Sequence, residues 1–130
     1  GCGTAVLSIM ASKREAKFVD AFDIDAWSFE NGKENAEMNG CSNIRISQGK
    51  ISDLKFNEPF DIILANINKN ILLMEMPYYN AYLKKDGLLL LSGFYEHDIA
   101  DIESRAKGEN LILQHFHALE TWAAVLFKKL

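Results

Sequence analysis

Gly1-Cys2-Gly3-Thr4 and Asp23, 20 residues beyond Gly3, are the residues whose types and spacing point first to a ligand. A glycine pair that opens a helix lets backbone N–H groups and a bound molecule come close, because no side chain intrudes. A carboxylate at the end of the following strand accepts hydrogen bonds from both hydroxyls of a ribose. A plain turn followed by a helix-capping acid fits the same residues, but the strand–helix context favours the sugar. Val6 stands where a dinucleotide fingerprint has its third glycine, which counts against a nicotinamide dehydrogenase.

Asn66-Ile67-Asn68 follows a short apolar run ending at Ala65. The carboxyl ends of strands are where ligands sit in open α/β sheets. An asparagine there offers an acceptor and a donor from one side chain. Asn68 and Asn70 suit the cap of the next helix, so Asn66 is the one read as a ligand contact. Ser92-Gly93 ends another apolar run and is a lesser lining candidate, and Trp27 fits either an adenine flank or the core. His97, His115 and His117 form no metal-ligand pattern, and Cys2 and Cys41 read as reduced thiols, so no metal site is expected.

The elements that must carry these residues follow from periodicity. Thr4 to Lys13 reads as a helix, Lys17 to Ile24 as a strand, and Asp25 as the cap of a helix from Ala26 to about Asn39, stopped by Asn39-Gly40. Asn43 to Gln48 alternates as an exposed strand. Phe60 to Ala65 is near-continuously apolar, as for a strand covered on both faces. A helix from about Asn70 to Lys84 puts Leu72, Met76, Tyr79 and Leu83 on one face, with Asp86-Gly87 as its stop. Met74 and Tyr78 fall on the rest of that helix. Leu88 to Leu91 is a buried strand, and His97 to Lys107 is a helix that Gly108 stops.

Leu111 to Phe116 and Trp122 to Phe127 are strands too close in sequence for a parallel crossover, so they must pair antiparallel. Strand–helix units closed by such a hairpin differ from an ordinary doubly wound sheet. No strand precedes the opening glycine turn, so the sequence is expected to begin partway into that motif, without the first strand of the sheet.

The chain has 130 residues, 48% of them hydrophobic and 25% charged, within the range of one globular domain. A net charge of −4 speaks against a broad basic surface for nucleic acid, and no apolar run approaches a membrane span. The expectation is a cytoplasmic protein with no membrane partner and no direct nucleic-acid binding.

Gly1 to Ile9, Asp23-Ile24-Asp25, Glu34 to Gly40, Ala65-Asn66-Ile67, Leu91-Ser92-Gly93-Phe94 and Trp122-Ala123-Ala124-Val125 occur in one order. In that order they resemble the class I methyltransferases that modify large-subunit ribosomal protein eleven, over nearly the whole chain. The resemblance implies a Rossmann-like seven-stranded sheet with its last strand antiparallel, and residues 1–130 as a single S-adenosylmethionine-binding domain truncated at its N-terminus. It implies S-adenosylmethionine held by Gly1, Gly3, Thr4, Asp23, Ile24 and Asn66, with Asn66 also beside the methyl acceptor as the catalytic residue. The expected reaction is methylation of amines, on lysine side chains and the amino terminus, of a ribosomal protein that a separate N-terminal domain recognises. Lys50 departs from the pattern, standing where many methyltransferases carry an acid near the adenine. Base and glutamine methyltransferases carry Asn-Pro-Pro-aromatic where this chain has Asn66-Ile67-Asn68-Lys69. A methyltransferase for another amine, or an inactive fragment of such an enzyme, remains the alternative.

Overall fold

The computed structural model describes residues 1–130, whose contacts gather into two compact units, Gly1–Lys55 and Phe56–Leu130.

The first unit runs α1 (Val6–Lys13), β1 (Val19–Asp23), α2 (Ala26–Met38) and β2 (Ile44–Gln48). β1 and β2 pair in parallel, with Val19 opposite Ile44 and Asp23 opposite Gln48. Parallel strands need a long crossover, and α2 provides it. Asp25 caps α2 by accepting the Ser28 N–H at 2.8 Å. At the other end Gly40 turns the chain away with φ +67°. Ala5, Ala21, Ala36, Cys41 and Ile51 are the buried apolar residues of this unit. Its helices thus pack through small side chains, which let backbones approach closely.

The second unit contains β3 (Phe60–Asn66), α3 (Lys69–Tyr82), β4 (Leu83–Tyr95), a 3-10 turn at Glu96–Asp98, α4 (Ile99–Lys107), β5 (Leu111–Leu119) and β6 (Trp122–Lys129). Its sheet has the order β3-β4-β6-β5. β3 and β4 are parallel, whereas β6 runs antiparallel to both β4 and β5, as expected for the closing hairpin. β3, β4 and β5 therefore share one direction and β6 alone opposes them. Leu72, Met76, Tyr79 and Leu83 form the buried side of α3 and its cap, and Ile102 and Ala106 that of α4. Leu89, Leu91, Phe94, Leu111, Ala123, Val125 and Phe127 complete the core. Met74 and Tyr78 are exposed.

Three expectations are corrected. The helix α3 stops at Tyr82 and not at Lys84, because Asp86-Gly87 turns the chain within β4 and not at the helix end. The partner of Phe60 is Leu83 and that of Ile62 is Leu88, so residues 84–87 bulge out of the ladder. Second, β3 is not covered on both faces: it has β4 as its hydrogen-bonded neighbour and Ile62 stays 57% exposed. Leu90 is likewise exposed, although Leu89 and Leu91 are buried. Third, β5 continues to Leu119, leaving Glu120-Thr121 as a two-residue turn; Glu120 takes the positive φ that tight hairpins require.

Candidate functional site

The opening loop and the end of β1 meet in the first unit. Asp23 Oδ2 accepts the Gly3 N–H at 2.9 Å and Oδ1 accepts the Asp25 N–H at 3.0 Å. The Gly1 amino group and the Cys2 N–H both donate to the Phe22 carbonyl, at 2.9 and 2.8 Å. The carboxylate expected at the strand end is thus seated on the glycine loop. Burial pushes the Asp23 carboxyl upward, but hydrogen bonds from the backbone of Asp25, Gly3 and Ile24 lower it. The group is held below the ordinary carboxylate range and is ionised near neutral pH.

One part of the sequence reading changes. The N–H groups of Gly1, Cys2, Gly3 and Ala5 are spent inside the protein, the last on the Cys2 carbonyl at 2.9 Å. What the loop offers a ligand is space: a methyl group on Gly3, at φ +55°, would meet no atom within 4 Å. A carboxylate has about four lone-pair sites. With the Gly3 N–H on one oxygen and the Asp25 N–H on the other, Asp23 keeps acceptor capacity for a ligand's donors. Thr4 and Ile24 flank this place and are exposed, as is Trp27, which is 71% exposed and so no core residue. Burial and the Asp23 charge raise the Cys2 thiol, leaving it protonated and a poor nucleophile.

Asn66, in the second unit, ends β3 opposite Ser92 on β4. The capping duty falls to Asn68, whose Oδ1 accepts the Ile71 N–H at 3.1 Å. Asn66 itself is exposed. Its side chain lies against Gly93: a β-carbon there would sit 2.7 Å from Asn66 Oδ1, 2.7 Å from the Ile67 carbonyl oxygen and 3.0 Å from the Ile67 nitrogen. Gly93 has φ +94°. The dipeptide Ser92-Gly93 thus serves Asn66 by making room for it.

Residue-type reasoning missed two features. Ala5 takes φ +66° and is fully buried, a left-handed position that favours glycine. Its place at the entry to α1 was the only signal. Asp98 is buried with its Oδ2 on the Tyr95 N–H at 3.1 Å and Oδ1 3.3 Å from Lys69 Nζ. An acid three residues after Tyr95 at a helix start is the pattern that would have marked it. His97 is exposed, and no cluster of three or more His, Cys, Asp or Glu could hold a metal.

A family model described as ribosomal protein L11 methyltransferase (PrmA) matches residues 1–130. The chain belongs to this family. A ribosomal protein L11 methyltransferase of Bacteroides fragilis is 45% identical over 127 residues, covering 98% of this chain and 45% of that protein. The Porphyromonas gingivalis relative is 43% identical, with 98% and 44% covered. The chain therefore spans under half the length of these curated relatives. The crystal structure of ribosomal protein L11 methylase from Lactobacillus delbrueckii subsp. bulgaricus superposes with a TM-score of 0.93 at 30% identity, covering 100% of this chain and 68% of that one. A solved structure described as M. jannaschii TYW2 in complex with AdoMet shares the fold, with a TM-score of 0.75 at 16% identity and 98% and 64% covered. The α/β fold is thus the Rossmann-like one of these methyltransferases.

Proposed function

We propose that this chain is the donor-binding and catalytic part of an enzyme that moves methyl groups from S-adenosylmethionine to amines of a large-subunit ribosomal protein, on lysine side chains and the amino terminus. The observation that carries the reading is Asp23, ionised and seated on the glycine loop with acceptor capacity left for a ligand's donors. One family match running from residue 1 to 130 supports treating both units as parts of one S-adenosylmethionine-binding domain.

The residues present fit the donor. Asp23 takes the two ribose hydroxyls, Gly1, Gly3 and Thr4 leave room beside it, and Ile24 lies next to the acid. S-adenosylmethionine, when bound, supplies a methyl group on a cationic sulfur that needs no further activation. The protein's share of catalysis is then positioning. An amine must be neutral to accept the methyl group, and a free lysine has a pKa of about 10.4. Withdrawal from water lowers that value. The Asn66 carbonyl oxygen, held against Gly93, accepts an N–H of the acceptor and orients its lone pair.

The net charge of −4 suits a basic polypeptide partner better than nucleic acid. No helix is long and apolar enough to cross a membrane, and the proposed place of action is the cytoplasm. Calorimetric titration with S-adenosylhomocysteine, beside NADH, tests the reading. We expect saturable binding of the first and none of the second. Binding of NADH alone would overturn it.

A further inference from the structure

We propose that Lys69 and Asp98 form a staple that positions Asn66 for methyl transfer. The proposal rests on the function proposed above. Asn66 closes β3 and Lys69 opens α3 three residues later. Gly93, packed against Asn66 and Ile67, precedes by two residues the Tyr95 whose N–H donates to Asp98 Oδ2 at 3.1 Å. The other oxygen of Asp98 faces Lys69 Nζ at 3.3 Å. One carboxylate therefore ties the turn after β4 to the start of α3. The segments 66–69 and 93–98 are held together at two points: the close packing of Gly93 on Asn66, and this ion pair.

The surrounding charges define which contact matters. Lys69 also reaches the Asp101 carboxylate at 2.6 Å, but that side chain is 68% exposed, against 12% for Asp98. An exposed pair contributes little, whereas a buried acid stripped of its partner disturbs its surroundings. His97 Nε2 lies 3.5 Å from Asp98 Oδ1 on an exposed ring. Asp101 makes the shorter contact with Lys69, but Asp98, buried and bonded to the Tyr95 N–H, is the one that joins the two segments. Neither Lys69 nor Asp98 is assigned contact with the donor or acceptor, so both act through Asn66.

Three variants of the full protein test this: Lys69→Met, Asp98→Asn and Lys69→Arg, with Asp101→Asn as control. Displacing a positioned group by about an ångström costs up to roughly 100-fold in rate. We expect Lys69→Met and Asp98→Asn to lower kcat roughly 10- to 100-fold while S-adenosylhomocysteine affinity is unchanged. The double variant should fall no further than either single one, and Lys69→Arg and Asp101→Asn should keep most turnover. The Asn66 side-chain amide resonances should be sharp in the wild type and broaden in Lys69→Met and Asp98→Asn. Unbroadened resonances, or donor affinity falling in step with kcat, would overturn the positioning role. Should Asp98→Asn fail to fold, the half-exposed Lys69 carries the test alone. A wild type without turnover whose Asn66 signals still broaden on Lys69→Met would refute the methyl-transfer reading and leave the staple standing.

Discussion

Gly93→Ala is the substitution whose cost the structure specifies most closely. Two terms add. At φ +94° an alanine occupies the left-handed half of backbone space, at about 1–2 kcal/mol. Its methyl group would also lie 2.7 Å from both Asn66 Oδ1 and the Ile67 carbonyl oxygen. The asparagine can swing away, but the Ile67 backbone cannot without moving the β3–α3 connection. Overpacking of this kind costs about 1–3 kcal/mol. The sum is a loss of about 2–5 kcal/mol, with Asn66 driven from its seat.

Gly40→Ala isolates the first term. Gly40 has φ +67° and open space around the added methyl, so about 1–2 kcal/mol is expected there. Urea unfolding of the two variants beside wild type measures the difference as a shift in midpoint at constant slope. In the full protein, Gly93→Ala should also lose turnover while keeping affinity for S-adenosylhomocysteine. If Gly93→Ala proves no costlier than Gly40→Ala and turns over normally, the close approach of Gly93 to Asn66 does not organise the site.

Asn66→Ala should abolish most turnover and leave donor affinity intact by calorimetry; wild-type kcat in this variant would remove the residue from the reaction. Asp23→Asn should show an altered acid limb in unfolding: the native carboxyl lies below its ordinary value, so its stabilisation is complete above the ordinary carboxyl range and disappears as pH falls through the lowered native value. Urea midpoints measured downward from pH 6 should therefore fall less steeply for Asp23→Asn than for wild type. Ala5→Gly should leave stability within about 1 kcal/mol of wild type, because relief of a left-handed alanine offsets the loss of one buried methyl worth about 0.8 kcal/mol. Thermal unfolding checks this, and a loss of several kcal/mol would show that the strain at Ala5 is not real.

Much of the fold was legible because each element carried its own local signature. Asp25 before α2 and Asn39-Gly40 after it are caps whose chemistry is local, and both act as read. The five-residue separation expected of the last two strands already forced an antiparallel pair, even though β5 runs three residues longer than its alternation suggested. What failed depends on distant partners. Asp86-Gly87 is a turn signal whether it ends a helix or bulges from a strand, and only the pairing of Leu83 with Phe60 decides. The burial of β3 could not be read from apolar content, since exposure is set by which neighbours lie alongside. In the site, motif spacing placed Asp23 beside the glycine loop but did not foretell that the Gly3 N–H would bond to it directly. The seating of Asn66 on Gly93 and the tie between Lys69 and Asp98 join segments more than twenty residues apart, and no local pattern encodes them.

The central claim is that Asp23 recognises both hydroxyls of the donor's ribose. Calorimetry with S-adenosylhomocysteine and with an analogue lacking those two hydroxyls, on wild type and on Asp23→Ala, tests it directly. A hydrogen bond to a charged group is worth about 1.5–3 kcal/mol, so the two together make wild type prefer the intact ribose by roughly a hundredfold or more. Asp23→Ala should bind the two alike. Equal preference for the intact sugar in both proteins would contradict the assignment.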